Sequence, residues 1–341
     1  PEILEFGSGP EFDEAVLGLM QLEIIVPFDF PRLTIDGQPL PAESLTSLVL
    51  HVSHDCNMRC GYCYADFGRY GGDFGYMDPN LAVKHTAKFF DQLGSVDKVH
   101  LTFFGGEPLM NMPVVYAAHA YAKERAAKEG RRLSCGLTTN GTLLTPELAA
   151  FFKENNFTLT VSIDGPPDVN DRLRTLDNGE KSYERIVGRV KESGVTATAR
   201  VTLTRRCLEV DRIVRHLVKE KFVEVGVSPV ATGRKSFDLA GEDLDIFFRG
   251  LENLADDFVE WAKRGELFPF SNIRQVVEQV ASGQTRPVPC GAGTRLVAAD
   301  NKGDLSAAAE HASEKPQAVS GMLGALFVRR RLPPHCLAAL R

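Results

Sequence analysis

Three things are missing from this chain, and each absence removes a class of function. No apolar run approaches the ~18 residues of a membrane-spanning helix, and no signal peptide opens the sequence, so no membrane partner is expected. A basic surplus is missing too. Asp and Glu number 45 against 39 Lys and Arg, a net charge of −6, which leaves no electrostatic footprint for a nucleic acid. Finally, there is no paired set of cysteines: seven in 341 residues is an odd and sparse count, unlike a disulfide framework. Thiols used in this way suit a reducing, cytoplasmic setting. Hydrophobic residues at 43% and charged residues at 25% are ordinary for a globular protein, and the length admits one large domain or two.

Three of the seven cysteines fall together, in Cys56-Asn57-Met58-Arg59-Cys60-Gly61-Tyr62-Cys63, directly after the apolar stretch Ser47–Val52. Three thiolates on one short loop can hold three irons of a [4Fe–4S] cube and leave the fourth iron open to a small molecule. A zinc knuckle is the competing reading, with His54 as a fourth ligand, although zinc favours two C-x2-C pairs.

From about residue 46 the chain alternates strand-like and helix-like segments. Strands are predicted at Ser47–His54, Lys98–Gly105, Leu133–Asn140, Thr158–Asp164, Thr196–Thr204 and Glu224–Val230, each short, apolar and rich in β-branched residues. Between them lie five helical patterns. Asp78-Pro79 and Thr145-Pro146 read as an N-cap followed by a proline in the first helical position. Gly130 and Gly194 read as helix ends. Stripes at Tyr183, Ile186, Val187 and Val190, and at Val210, Ile213, Val214 and Leu217, mark two more helices. The order argues for an α/β fold with a parallel sheet and right-handed crossovers, either part of a barrel or a doubly wound sheet. After residue 235 the pattern changes to one long amphipathic helix from Leu244 to Trp261, then a break at Pro287-Val288-Pro289. The basic run Arg329–Arg331 reads as a solvated charge run.

In parallel α/β sheets, ligands bind at the carboxyl ends of the strands. The chain puts polar motifs there repeatedly: the cysteine loop, then Gly105-Gly106-Glu107-Pro108, Thr138–Gly141, Ser162–Gly165, and Arg200, Thr202 and Thr204 at alternate positions. Each alone passes for a plain turn or strand; the series at one sheet edge is far more specific.

The series resembles the radical S-adenosylmethionine (SAM) enzymes over about residues 46–235. The resemblance implies a partial (β/α)6 TIM-like barrel in which Cys56, Cys60 and Cys63 hold a [4Fe–4S] cluster and the fourth iron chelates SAM. It implies that Tyr62 borders the adenine and that Gly105, Gly106 and Glu107 receive the methionine amino group. Ser162 and Arg200 match positions holding the SAM carboxylate and ribose region, with Asn140 a further member. The residue types fit these roles, since an ammonium needs acceptors and a carboxylate suits a guanidinium. The resemblance also implies reductive cleavage of SAM to a 5′-deoxyadenosyl radical that takes hydrogen from a substrate, with electrons from a flavodoxin- or ferredoxin-type donor.

Two further stretches narrow the expected substrate. The loop from Cys63 to Met77 and the run Phe103–Asn111 resemble peptide maturases that form thioether cross-links, so the expected partner is a ribosomally made peptide or small protein subunit. The Ser162–Arg174 stretch is shared with sulfatase-maturing enzymes, which oxidise Cys or Ser to formylglycine, and leaves that alternative open. A non-catalytic iron–sulfur or zinc module that binds a partner protein is the alternative of another class. Cys290-Gly291-Ala292-Gly293 with Asp300–Leu305 is similar to the start of a SPASM extension, which holds auxiliary [4Fe–4S] clusters. Here Ala308 stands where that pattern has cysteine and only Cys336 follows, too few ligands for two auxiliary clusters even with Cys135 and Cys207 recruited. The expected organisation is an accessory segment over 1–45, the barrel over 46–235, a helical linker over 236–289 and an incomplete SPASM-like segment over 290–341. No general base is identifiable.

Overall fold

The computed structural model describes residues 45–72, 74–282 and 295–306, all within one compact unit. Its frame is a mostly parallel sheet. The strands are β1 (Ser47–His54), β2 (Gly75–Tyr76), β3 (Lys98–Gly105), β4 (Arg132–Thr139), β5 (Phe157–Ser162), β6 (Ala197–Leu203), β7 (Glu224–Pro229), β8 (Leu296–Ala299) and β9 (Leu305–Ser306). They lie in the order β7-β6-β5-β4-β3-β1-β8-β9, with the short β2 antiparallel to the end of β1. From β1 through β7 the main strands are added in one direction and all pair in parallel. A doubly wound sheet would reverse direction at a switch point. This one does not, so it is an α/β sheet of the partial-barrel kind.

The six predicted strands agree with the observed ones to within two residues at either end. Helices follow in the crossovers: α1 (Pro79–Asp91), α2 (Met112–Lys128), α3 (Pro146–Glu154), α4 (Pro167–Leu173), α5 (Tyr183–Ser193) and α6 (Val210–Lys219). The caps act as read. Asp78 accepts from the backbone amides of Asn80 and Leu81 at 2.8 and 3.3 Å, and Thr145 accepts from Leu148 at 3.3 Å, each cap contributing about 1 kcal/mol. Gly194 closes α5 at φ +65°, a conformation that favours glycine. The five-helix expectation missed α4, a two-turn helix after β5 whose Pro166-Pro167 start resembles a plain turn. The long helix is α7 (Glu242–Lys263), and α8 (Ser271–Ser282) follows it.

Strand alternation separates two faces. Leu50, Val52, Leu101, Phe103, Leu137, Val161 and Val201 face the helices and join one core with Phe89, Val115, Phe152, Ile186 and Ile213. Cys135 belongs to this core at 2% exposure, and burial lifts its thiol to about 12. The opposite face carries Thr102, Thr138, Thr160, Ser162, Thr198, Arg200, Thr202 and Ser228, half-buried or exposed. That polar face opens towards the strand ends where the motifs sit.

The strand β8 pairs in parallel with β1, and the turn Asp300–Asp304 returns the chain to β9. The Asp300 carboxylate accepts from the amides of Lys302 and Asp304 at 2.9 and 2.8 Å, which stabilises that turn. Residues 1–44, Cys290, Ala308 and Cys336 lie outside the described residues, and so do the readings that rest on them.

Candidate active site

The cysteine loop leaves β1 at His54 and is anchored from the side. The Arg59 amide donates to the Thr175 carbonyl and that of Gly61 to the Leu173 carbonyl, both at 2.8 Å, while Met58 bridges to Leu176. The segment following α4 thus acts as a partner strand for the loop. Cys56, Cys60 and Cys63 are all half-buried. Burial pushes the Cys56 thiol up to about 12 and the Cys60 thiol to about 11, so without a metal both stay protonated.

The turn after β3 is pressed against this loop. The Gly106 amide donates to Ser53 and the Glu107 amide to Asp55, both at 2.8 Å. A Cβ on Gly105 would lie 2.3 Å from the Ser53 carbonyl oxygen, and one on Gly106 2.1 Å from that of Asp55. Gly105 also sits at φ +133°. The glycine pair is therefore required for backbone packing, whatever binds there.

Glu107 is fully buried. Its carboxylate caps the short 3-10 turn Pro108–Asn111 by accepting from the Leu109 amide at 3.0 Å. It also accepts from the Thr139 hydroxyl and the Asn140 amide, each at 2.7 Å. Burial raises its pKa against the pull of these donors. Three protein donors leave one lone-pair direction of the carboxylate open, on Oε2. Asn140 continues the network. Its side-chain amide donates to Asn57 at 2.8 Å and reaches the Cys56 sulfur at 3.8 Å, while its oxygen accepts from Thr142.

Across the site, Ser162 ends β5 in register with Arg200 on β6. Arg200 is exposed and donates to the Ser228 hydroxyl at 2.6 Å. Tyr62 joins the cysteine loop to Asp164, just past the end of β5. Its ring packs with Leu173 and Phe237, and its hydroxyl donates to Asp164 at 2.7 Å while accepting from Arg174 at 2.6 Å. The structure therefore gathers Cys56, Asn140, Glu107 and the glycine turn into one cross-tied group. It sets Ser162 beside Arg200 on the polar face.

Several residues here gain an individual role only from the fold. Asp164 and Arg174 pass for turn and helix-end residues until the fold buries them to 3% and 6% exposure. Tyr70 closes the loop after Cys63 over β1, packing on His51 and His54 at ring distances of 4.7 and 5.1 Å. That loop carries positive φ at Asp66, Phe67 and Tyr70, an uncommon conformation for such side chains and a sign of constraint.

Residues 50–206 match the profile of the radical SAM superfamily. The match is confined to this segment, a little under half of the chain. The chain is 32% identical over 161 residues to a serine-type anaerobic sulfatase-maturating enzyme of Bacteroides thetaiotaomicron, covering 45% of this chain and 38% of that protein. It is 30% identical over 152 residues to a cysteine-type anaerobic sulfatase-maturating enzyme of Clostridium novyi, covering 44% and 40%. The matches thus span about two fifths of each curated relative. Among solved structures, native anSMEcpe with bound AdoMet superposes with a TM-score of 0.69 at 18% identity, over 81% of this chain and 78% of that one. Streptococcus suis SuiB bound to precursor peptide SuiA gives 0.58 at 15% identity, over 95% and 69%. Both likenesses bear on the fold.

A radical SAM domain implies a [4Fe–4S] cluster and SAM, and the residues present fit them. Among the described residues no three His, Cys, Asp or Glu side chains gather as they would around one metal ion, with or without His54. A cube asks for something else, one thiolate at each of three separate irons, and the loop supplies three half-buried thiols. Arg174 adds a cation whose field pulls against the burial that raises the Cys60 thiol, and its buried Nε has no hydrogen-bond partner.

Proposed function

We propose that this chain is a radical SAM enzyme that modifies a peptide or small protein by removing hydrogen from one of its side chains. The observation that carries the reading is the joint anchoring of the cysteine loop: Gly106 and Glu107 bond to its root, and Asn140 reaches Cys56. When bound, the cluster and SAM would supply a 5′-deoxyadenosyl radical made by one-electron reduction of the sulfonium. The chain's own residues would hold and orient. Cys56, Cys60 and Cys63 would ligate three irons. The open lone pair of Glu107 would accept from the methionine ammonium beside the glycine turn. Arg200, held by Ser228 next to Ser162, would face the SAM carboxylate or ribose, and the Tyr62 ring would border the adenine. The remaining polar face, with Thr102, Thr138 and Thr160, would line the approach of the substrate.

Two products are consistent with that site. The loop from Cys63 to Met77 favours a thioether between a substrate cysteine and a carbon of another residue. The identity to serine- and cysteine-type sulfatase-maturating enzymes favours a formylglycine aldehyde instead. The test has two stages. Anaerobically reconstituted, reduced protein should form 5′-deoxyadenosine from SAM, and Cys60→Ala should not. If the two are equal, the enzyme reading fails and a partner-binding iron–sulfur module takes its place. With a peptide from the neighbouring reading frame as substrate, loss of iodoacetamide labelling without hydrazide capture marks the thioether. Hydrazide capture marks the aldehyde.

A further inference from the structure

Arg174 is a full positive charge, 6% exposed, beside the cysteine loop. A guanidinium is protonated at any accessible pH, and burying one is costly unless its donors are used. One side of it is used: Nη1 donates to the Tyr62 hydroxyl at 2.6 Å. Its Nε is buried and has no hydrogen-bond partner. Tyr62 sits between two of the three loop cysteines, and Cys60 packs against the small cluster of Tyr62, Leu173 and Phe237. The backbone on both sides of Arg174 is tied to the same loop, Leu173 to Gly61 and Thr175 to Arg59. The cation is thus fixed to the loop by side chain and main chain together. Asp164 lies on the far side of the Tyr62 hydroxyl, which donates to it at 2.7 Å, and no direct bond joins the Asp164 carboxylate to the Arg174 guanidinium among the described residues.

We propose that Arg174 is a positioning residue that raises the reduction potential of the cluster held by this loop. This deepens the radical SAM reading and rests on it. A cube ligated by three thiolates carries net negative charge, and adding an electron makes it more negative. A fixed neighbouring cation stabilises the reduced form more than the oxidised one, and protein burial strengthens the effect by limiting solvent screening. Net charge, hydrogen bonds to the sulfurs and solvent exposure are the factors that set such potentials, and Arg174 changes the first. The benefit is specific. An easier reduction lets a modest external donor charge the cluster before the sulfonium is cleaved.

The test is the cluster's midpoint potential, read by mediated titration with electron paramagnetic resonance of the reduced cluster, in protein matched for iron and sulfide content. Arg174→Gln should shift the midpoint to more negative values, and Arg174→Met should do the same if the amide variant fails to fold. Arg174→Lys, which keeps the charge, should stay near the wild type. The shift should persist at high salt, since the charge is buried. A midpoint unchanged in the neutral variants overturns the proposal, as does a lysine variant that shifts as far as glutamine. If wild-type protein takes up no oxygen-sensitive cluster under conditions that load it with iron, the radical SAM reading itself falls, and this proposal with it.

Discussion

The two halves of the site are built differently. At the ends of β1, β3 and β4, polar groups are already engaged by the protein: Glu107 accepts three donors, Asn140 ties to Asn57, Thr142 and Glu107, and the glycine turn touches the backbone of Ser53 and Asp55. At the ends of β5, β6 and β7, Ser162 is half-buried and Arg200 is exposed, reaching across to the Ser228 hydroxyl. The polar groups of the first half already have partners within the protein. The second lies nearer solvent. A preformed half suits a resident cluster and one fixed end of the ligand beside it, because ordering cost is met on folding rather than on binding. An open half suits a ligand that enters and leaves in each turnover.

That contrast breaks most visibly at Gly106. A methyl group there meets the Asp55 carbonyl oxygen at 2.1 Å, and backbone rather than a flexible side chain must give way. Gly106→Ala should cost about 3 kcal/mol or more, seen in denaturant unfolding of the metal-free protein, and iron uptake should fall with it. Gly188 in α5 makes the control, since a Cβ there meets nothing within 4 Å and the backbone is already helical. Glu107→Gln comes next. The amide cannot accept on both sides, so one buried donor among Leu109, Thr139 and Asn140 is left unmade, at a cost of about 1–3 kcal/mol. Unfolding measured beside SAM binding by calorimetry separates the two roles. Lost SAM affinity without lost stability would mean that Glu107 serves the ligand alone and that the first half is not preassembled.

The same contrast explains what was legible in the sequence. Strand limits could be read because apolar, β-branched runs meet clear caps such as Asp78-Pro79 and Thr145-Pro146. The cysteine loop and the glycine turn stand out in the sequence by residue type and short spacing, and the fold brings the two together. Asp164 and Arg174 do not stand out. Each acquires meaning only when Tyr62, 102 and 112 residues away, is brought between them, and a single sequence carries no trace of such a contact. For Gly105 and Gly106 the expectation from the sequence is contact with a ligand's amino group, whereas the neighbours that require glycine there, Ser53 and Asp55, come from the fold. Helix α4 escaped notice because Pro166-Pro167 signals a turn as readily as a helix start.

The open half should yield the smallest effects on stability and the clearest effects on binding. Arg200 is exposed, so Arg200→Ala should change unfolding free energy by no more than about 0.5 kcal/mol. If the guanidinium pairs with a SAM carboxylate, the same change should weaken SAM binding roughly 10-fold or more, the usual value of a charged hydrogen bond of about 1.5–3 kcal/mol. Ser228→Ala asks for less again. It removes the hydroxyl that holds Arg200 at 2.6 Å without removing the charge, so SAM affinity should drop only a few-fold while stability stays level. A Ser228→Ala variant as weak as Arg200→Ala would show that this side, too, is preorganised. The division between a built half and an adaptable half would then not hold.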